Sequence, residues 1–176
     1  MFDKIKYNLA HFIIRKKYLP AKSEPISFKG IISNSKSFFV IMPISNDEFN
    51  KSLTLIDFLM ENQKVISALI HESQLNLISS KKMVTLVNYK DDYKNKLNLP
   101  IKNFVNELRS KSFDVVMDLN RTGDVFTSSI TNIVRSKVRV GFEHEKTDNY
   151  YDIRIVNSSP DLQEIYNNYI NFLKMF

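Results

Sequence analysis

The chain has no cysteine, only three glycines and only three histidines among 176 residues. Each scarcity removes a class of chemistry. Without cysteine there is no disulfide, no thiolate metal site and no cysteine nucleophile, and a reducing cytosol suits such a chain. His11, His71 and His144 stand far apart, none at H-x-x-x-H spacing, so no zinc site is expected. Gly30, Gly123 and Gly141 share no loop, so no G-x-G-x-x-G turn and no P-loop exists. Close backbone approach to a pyrophosphate is therefore not expected, and no cofactor is implied. A G-x-S-x-G elbow is also missing. No apolar run approaches the ~20 residues of a membrane-spanning helix. The N-terminus does not read as a signal peptide, because Asp3, Lys4, Lys6 and His11 interrupt its apolar residues.

What is present suits one domain with a sizeable core: 43% of residues are hydrophobic and 25% charged. The formal net charge is +6, and it is unevenly placed. In the first 22 residues Lys4, Lys6, Arg15, Lys16, Lys17 and Lys22 oppose only Asp3. The remaining body is nearly balanced, which argues against a nucleic-acid partner.

Residues 2–19 read as an amphipathic helix, with Phe2, Ile5, Leu9, Phe12 and Ile13 at helical spacing. A basic amphipathic helix can lie on an anionic membrane. The favoured reading is that the stripe packs on the domain or on a partner; as part of the core, Phe12→Ala would lower stability by about 3–5 kcal/mol. Pro20 ends the helix, and 20–36 reads as a linker, with a short strand or extended arm over 26–32. Residues 1–36 are thus expected to be helix and linker, and 37–176 a single domain.

Within that domain, apolar runs at 38–42, 65–70, 83–87, 115–119, 138–141 and 153–156 read as strands, with 75–78 a small extra strand. Ser45 and Glu48 have capping-box spacing before a helix lined by Phe49, Leu53, Ile56, Leu59 and Met60. Residues 88–99 are polar and lysine-rich, hence a loop, and Pro100 opens a helix burying Phe104, Val105 and Leu108. Another helix spans about 124–135. Ser159-Pro160 supplies an N-cap and first-turn proline for the last one. Alternating strands and helices imply an α/β fold: a three-layer α/β/α sandwich around a Rossmann-like, open, mostly parallel sheet of five or six strands, ordered 3-2-1-4-5-6.

The clearest unit is 113–142, where Phe-Asp-Val-Val-Met-Asp-Leu-Asn runs into Arg-Thr-Gly-Asp, a helix, and Arg-Val-Gly-Phe. This stretch resembles the end of the N-terminal domain of heptosyltransferases, lipopolysaccharide-core glycosyltransferases that use ADP-heptose. The resemblance implies an acceptor-side domain; the family's donor site lies on a second domain that a chain of this length does not hold. In the family, the loop after the first strand carries a Gly-Asp pair whose aspartate is the base. Here that loop reads Met42-Pro43-Ile44-Ser45-Asn46-Asp47-Glu48, with no Gly-Asp pair and no basic residue.

Asp47 and Glu48 are the candidates for a catalytic base on a sugar hydroxyl, with His144 among its acidic neighbours a remoter one. Helix capping explains them more simply. A Rossmann-type sheet binds ligands where its first and fourth strands end. Ser45, Asn46, Asn120, Arg121, Thr122 and Asp124 are therefore the candidate ligand-binding residues. Arg121 suits a phosphate, so an anionic or phosphorylated sugar is the implied ligand. The plainer alternative has Asp118 bonding loop amides and Thr122 or Asp124 capping a helix. Arg139 reads as paired with a carboxylate, and the charged loop Glu143-His144-Glu145 as solvated. The expected function is a stand-alone, non-catalytic heptosyltransferase-like binding or interaction module with a sugar or protein partner, linked to cell-envelope glycan synthesis. It would be cytoplasmic, peripheral at the inner membrane face. The alternative is the acceptor half of a split glycosyltransferase whose donor half is a separate chain.

Overall fold

The computed structural model describes residues 2–19, 29–78, 83–145, 149–156 and 159–176. In chain order the elements are α1 (Phe2–Lys17), α2 (Ile31–Asn34), β1 (Ser37–Ile41), α3 (Asn46–Glu61), β2 (Val65–His71), α4 (Leu75–Ile78), β3 (Val84–Tyr89), α5 (Lys102–Arg109), β4 (Ser112–Asp118), α6 (Val125–Ile133), β5 (Arg135–Phe142), β6 (Ile153–Ile155) and α7 (Leu162–Leu173). The six strands form one sheet in the order β3-β2-β1-β4-β5-β6, with every neighbouring pair parallel. Phe38 of β1 stands between Ile66 of β2 and Val115 of β4.

Side-chain alternation explains the three layers. Phe38 and Val40 face one way, onto Phe49, Leu55, Ile56 and Leu59 of α3 and Ile165, Tyr166, Tyr169 and Leu173 of α7. Phe39 and Ile41 face the other way, onto α1, α5 and α6. Both faces are covered, so the central strands are apolar without alternation. Phe38 and Phe39 are fully buried, and truncating either to alanine would cost about 3–5 kcal/mol.

Five local expectations need correction. Residues 75–78 form α4 rather than a strand, because the chain leaves the sheet at a tight turn. There the buried Gln74 amide donates to the carbonyls of Pro43 (3.0 Å) and Ile44 (2.7 Å). Ser45 is the N-cap of α3, but its hydroxyl makes no capping bond, and Glu48 turns toward Arg121 instead. The N-cap of α7 is Asp161, whose carboxylate accepts from the Gln163 amide at 2.9 Å; Ser159 instead donates to Glu164. The loop expected from 88 begins later, since β3 runs to Tyr89. Pro20 and residues 20–28 of the expected linker lie outside the described residues, and residues 31–34, where an arm or linker was expected, form the short α2.

The largest correction concerns α1. The helix does pack on the domain, against α6, but with a different face from the one its apolar spacing suggests. Ala10, Ile14, Tyr18 and His11 are buried, and His11 Nδ1 lies 2.8 Å from the Tyr150 hydroxyl. Ile5, Leu9 and Phe12 are exposed, Phe12 by 58%. The inward face is amphipathic: small Ala10 permits close approach, while the ring of His11 stacks on Tyr150 and bonds to it. Hydropathy periodicity does not register such a face. Phe12→Ala is accordingly expected to change stability by less than about 0.5 kcal/mol.

Candidate functional site

The chain leaves β1 toward α3 on one face and leaves β4 toward α6 on the other. Their carboxyl ends therefore make the switch point of the sheet, where helices diverge and ligands have access. Ser45, Asn46 and Asp47 are exposed on the α3 side. Glu48 is half-buried, and its Oε1 lies 3.6 Å from Nε of the half-buried Arg121. Burial pushes the Glu48 carboxyl above the usual range, and Arg121 pulls it back. The two loops are thus joined by one ion pair, Glu48 to Arg121.

On the β4 side the candidates divide. Thr122 is exposed. Asp124 is the N-cap of α6, accepting from the Thr127 amide at 3.0 Å, which satisfies an amide that the helix itself leaves without a partner. Asn120 is buried, and its side-chain amide and backbone N–H both donate to Asp118 Oδ1, at 2.7 and 3.1 Å. His144 Nε2 donates to the Asn120 carbonyl at 3.2 Å, and its ring rests against Gly123. The 143–145 loop, expected to be solvated, is therefore folded in part over the turn after β4.

Asp118 is 1% exposed. Its Oδ2 accepts from the Tyr151 hydroxyl at 2.9 Å, with the Thr131 hydroxyl at 3.5 Å. Burial raises its pKa, against the lowering effect of its bonds to Asn120 and Tyr151. Tyr151 was not singled out from the sequence. Its signal lay in Gly141: the Tyr151 ring lies where a Cβ on residue 141 would have to be, so only glycine fits beside it. Gly141 also pairs with Asp118 in the sheet, so one aromatic ring crosses β5 to reach the carboxylate of β4. Arg139 makes the expected structural pair, a bidentate contact with Asp152 at 3.0 and 2.8 Å, and also donates to Asn132 at 2.8 Å.

A cavity of about 170 Å³ opens beside the carboxyl ends of β4, β5 and β6, lined by Arg121, Phe142, Glu143, His144, Ile155, Ser159 and Ile165, so of the candidate ligand residues it touches Arg121 alone. It is smaller than the ~300–1,000 Å³ of drug-sized sites. A phosphate or one sugar ring fits it better than a whole nucleotide sugar. Glu143 at its edge is engaged with Arg154 at 3.1 Å. A larger groove of about 480 Å³ runs between α3 and α7 but touches none of the candidate residues. Among the described residues no cluster of three histidines or carboxylates could hold a metal ion, and no helix is long and apolar enough to cross a membrane.

No protein-family model matches the sequence, and no curated protein does. Among solved structures the fold is similar to E. coli heptosyltransferase WaaC with ADP, at a TM-score of 0.55 and 11% identity. The match covers 75% of this chain and 46% of that one, so the chain spans less than half the length of the protein it resembles. At this identity the likeness is one of fold: a mostly parallel, Rossmann-like sheet between two helical layers.

Proposed function

We propose that this chain is a non-catalytic binding module built on the N-terminal, acceptor-side half of a heptosyltransferase-like fold, and that its ligand is a phosphorylated sugar. The observation that carries this reading is Arg121. It follows β4, lines the 170 Å³ cavity beside the ends of β5 and β6, and holds the loops after β1 and β4 together through Glu48. A guanidinium there matches phosphate geometry. The non-catalytic part rests on the loop after β1. Its two carboxylates are Asp47, which is exposed on the first turn of α3, and Glu48, which is engaged by Arg121. Neither is held as a general base beside the cavity.

Chemical-shift perturbation with phosphorylated monosaccharides tests the site. Amides of residues 120–124 and 142–144 should move most, with 45–48 following through the Glu48–Arg121 pair, and Arg121→Ala should abolish the response. Glu48→Gln should strengthen binding, because Arg121 then has no competing carboxylate. Below about pH 5, where a phosphate monoester is already a monoanion, further acidification should act the same way, since the raised pKa of Glu48 favours its neutral form. Calorimetric titration with ADP- and UDP-sugars should show no micromolar binding. Shifts elsewhere or nowhere would mean that the site is lost and that the module binds a protein.

A further inference from the structure

The α1 helix carries two opposed faces. One is fixed to the domain by Ala10, Ile14, Tyr18 and the His11–Tyr150 contact. The other presents Ile5, Leu9 and Phe12 at i, i+4 and i+7, exposed by 58%, 45% and 58%. By helical spacing Lys4 flanks this ridge on one side, Lys6 and Lys17 flank it on the other, and Lys16 continues it toward the C-terminus. All four lysines are exposed. The sole acid of the helix, Asp3, falls toward the domain side of the Lys6–Lys17 flank.

An apolar ridge flanked and extended by lysines matches one kind of surface particularly well: a bilayer with anionic headgroups. The ridge enters the acyl boundary by about 5–10 Å while the lysines stay at the headgroup level. A second copy of the chain fits less well, because pairing two such ridges would bring like-charged flanks together. We propose that the outer face of α1 docks this protein on an anionic membrane surface. Because the inner face is tied to Tyr150, docking would hold the whole domain in one orientation. This proposal stands independently of the sugar site.

The test uses the full chain with vesicles of phosphatidylcholine, with and without phosphatidylglycerol. The protein should co-sediment only with the anionic vesicles, and high salt should release it. The chain has no tryptophan, so Phe12→Trp supplies a single indole whose emission should shift to the blue on binding. Phe12→Glu should remove binding. Lys4→Glu, Lys6→Glu and Lys16→Glu together should weaken it by roughly a hundredfold or more, at about 1 kcal/mol per cation. These side chains are exposed, so circular dichroism should show the fold intact. Failure to bind anionic vesicles, equal binding to both kinds, or an unshifted indole would overturn the proposal. So would a concentration-dependent dimer that Phe12→Glu abolishes, since the ridge would then serve a second copy.

Discussion

Asp114 and Asp118 sit at opposite ends of one strand, β4, and meet opposite chemistry. Asp114 lies near its start, where Oδ2 accepts from the backbone amides of Lys36 (2.9 Å) and Ser37 (3.0 Å) and Lys137 approaches Oδ1 at 2.7 Å. The lysine, foremost, and those amides hold its carboxyl well below the usual range. Asp118 lies at the carboxyl end, where the neutral groups of Asn120 and Tyr151 donate to it. Burial dominates there and pushes its pKa up. Residue type and strand are the same in both cases. What separates the two is whether the partners are charged and whether water can reach them.

The largest test of this contrast is Asp118→Ala. It strands the Tyr151 hydroxyl and the Asn120 amide in the interior, so urea denaturation should show a loss of about 3 kcal/mol. Next is Gly141→Ala, whose added methyl must displace the Tyr151 ring from its place beside Asp118. A loss of about 1–3 kcal/mol is expected, and Tyr151→Leu in the same background should recover part of it. Asp114→Ala should cost less, about 1–2 kcal/mol at neutral pH, because its site is partly open to solvent.

The pH dependence of the two alanine variants should run in opposite directions. The depressed pKa of Asp114 stabilises the fold above its ordinary value of 3.8, and that contribution fades as pH falls through the folded value. The deficit of Asp114→Ala should therefore shrink on acidification. The raised pKa of Asp118 works the other way: its proton linkage favours folding below 3.8 and is withdrawn as pH rises through the folded value. The deficit of Asp118→Ala should grow on acidification. Denaturation series from roughly pH 7 down to pH 3 would separate the two, and parallel slopes would break the comparison. The smallest effect is Arg121→Ala, under about 1 kcal/mol in stability, since its pair with Glu48 is partly exposed. Its consequence should appear in ligand binding.

Much of the fold is legible in the residues. The unbroken apolar runs of β1, β2 and β4 mark strands buried on both faces, the alternation with helices favours parallel pairing, and the expected order 3-2-1-4-5-6 is the one observed. Local chemistry is less legible. Ser45 and Glu48 have capping-box spacing, but Arg121, 73 positions away, takes the glutamate. Residues 75–78 look like a strand until Gln74 binds the carbonyls after β1. The outward ridge of α1 has the stronger apolar spacing, so periodicity alone selects the wrong face.

The candidate site divides along the same line. That the switch point falls after β1 and β4 is readable from strand order, since it is a property of topology. That Asn120 and Asp124 are occupied by structural bonds, while Arg121 lines a cavity, is not. The sequence by itself determined the main strands and helices and the parallel sheet, because these depend on local periodicity and on burying apolar surface. Only the tertiary structure decided how the polar groups pair. Tyr151 reaches Asp118 across Gly141, Glu48 takes Arg121, and His11 meets Tyr150. Such partners are chosen by distance in space, and burial makes each choice costly to leave unmet.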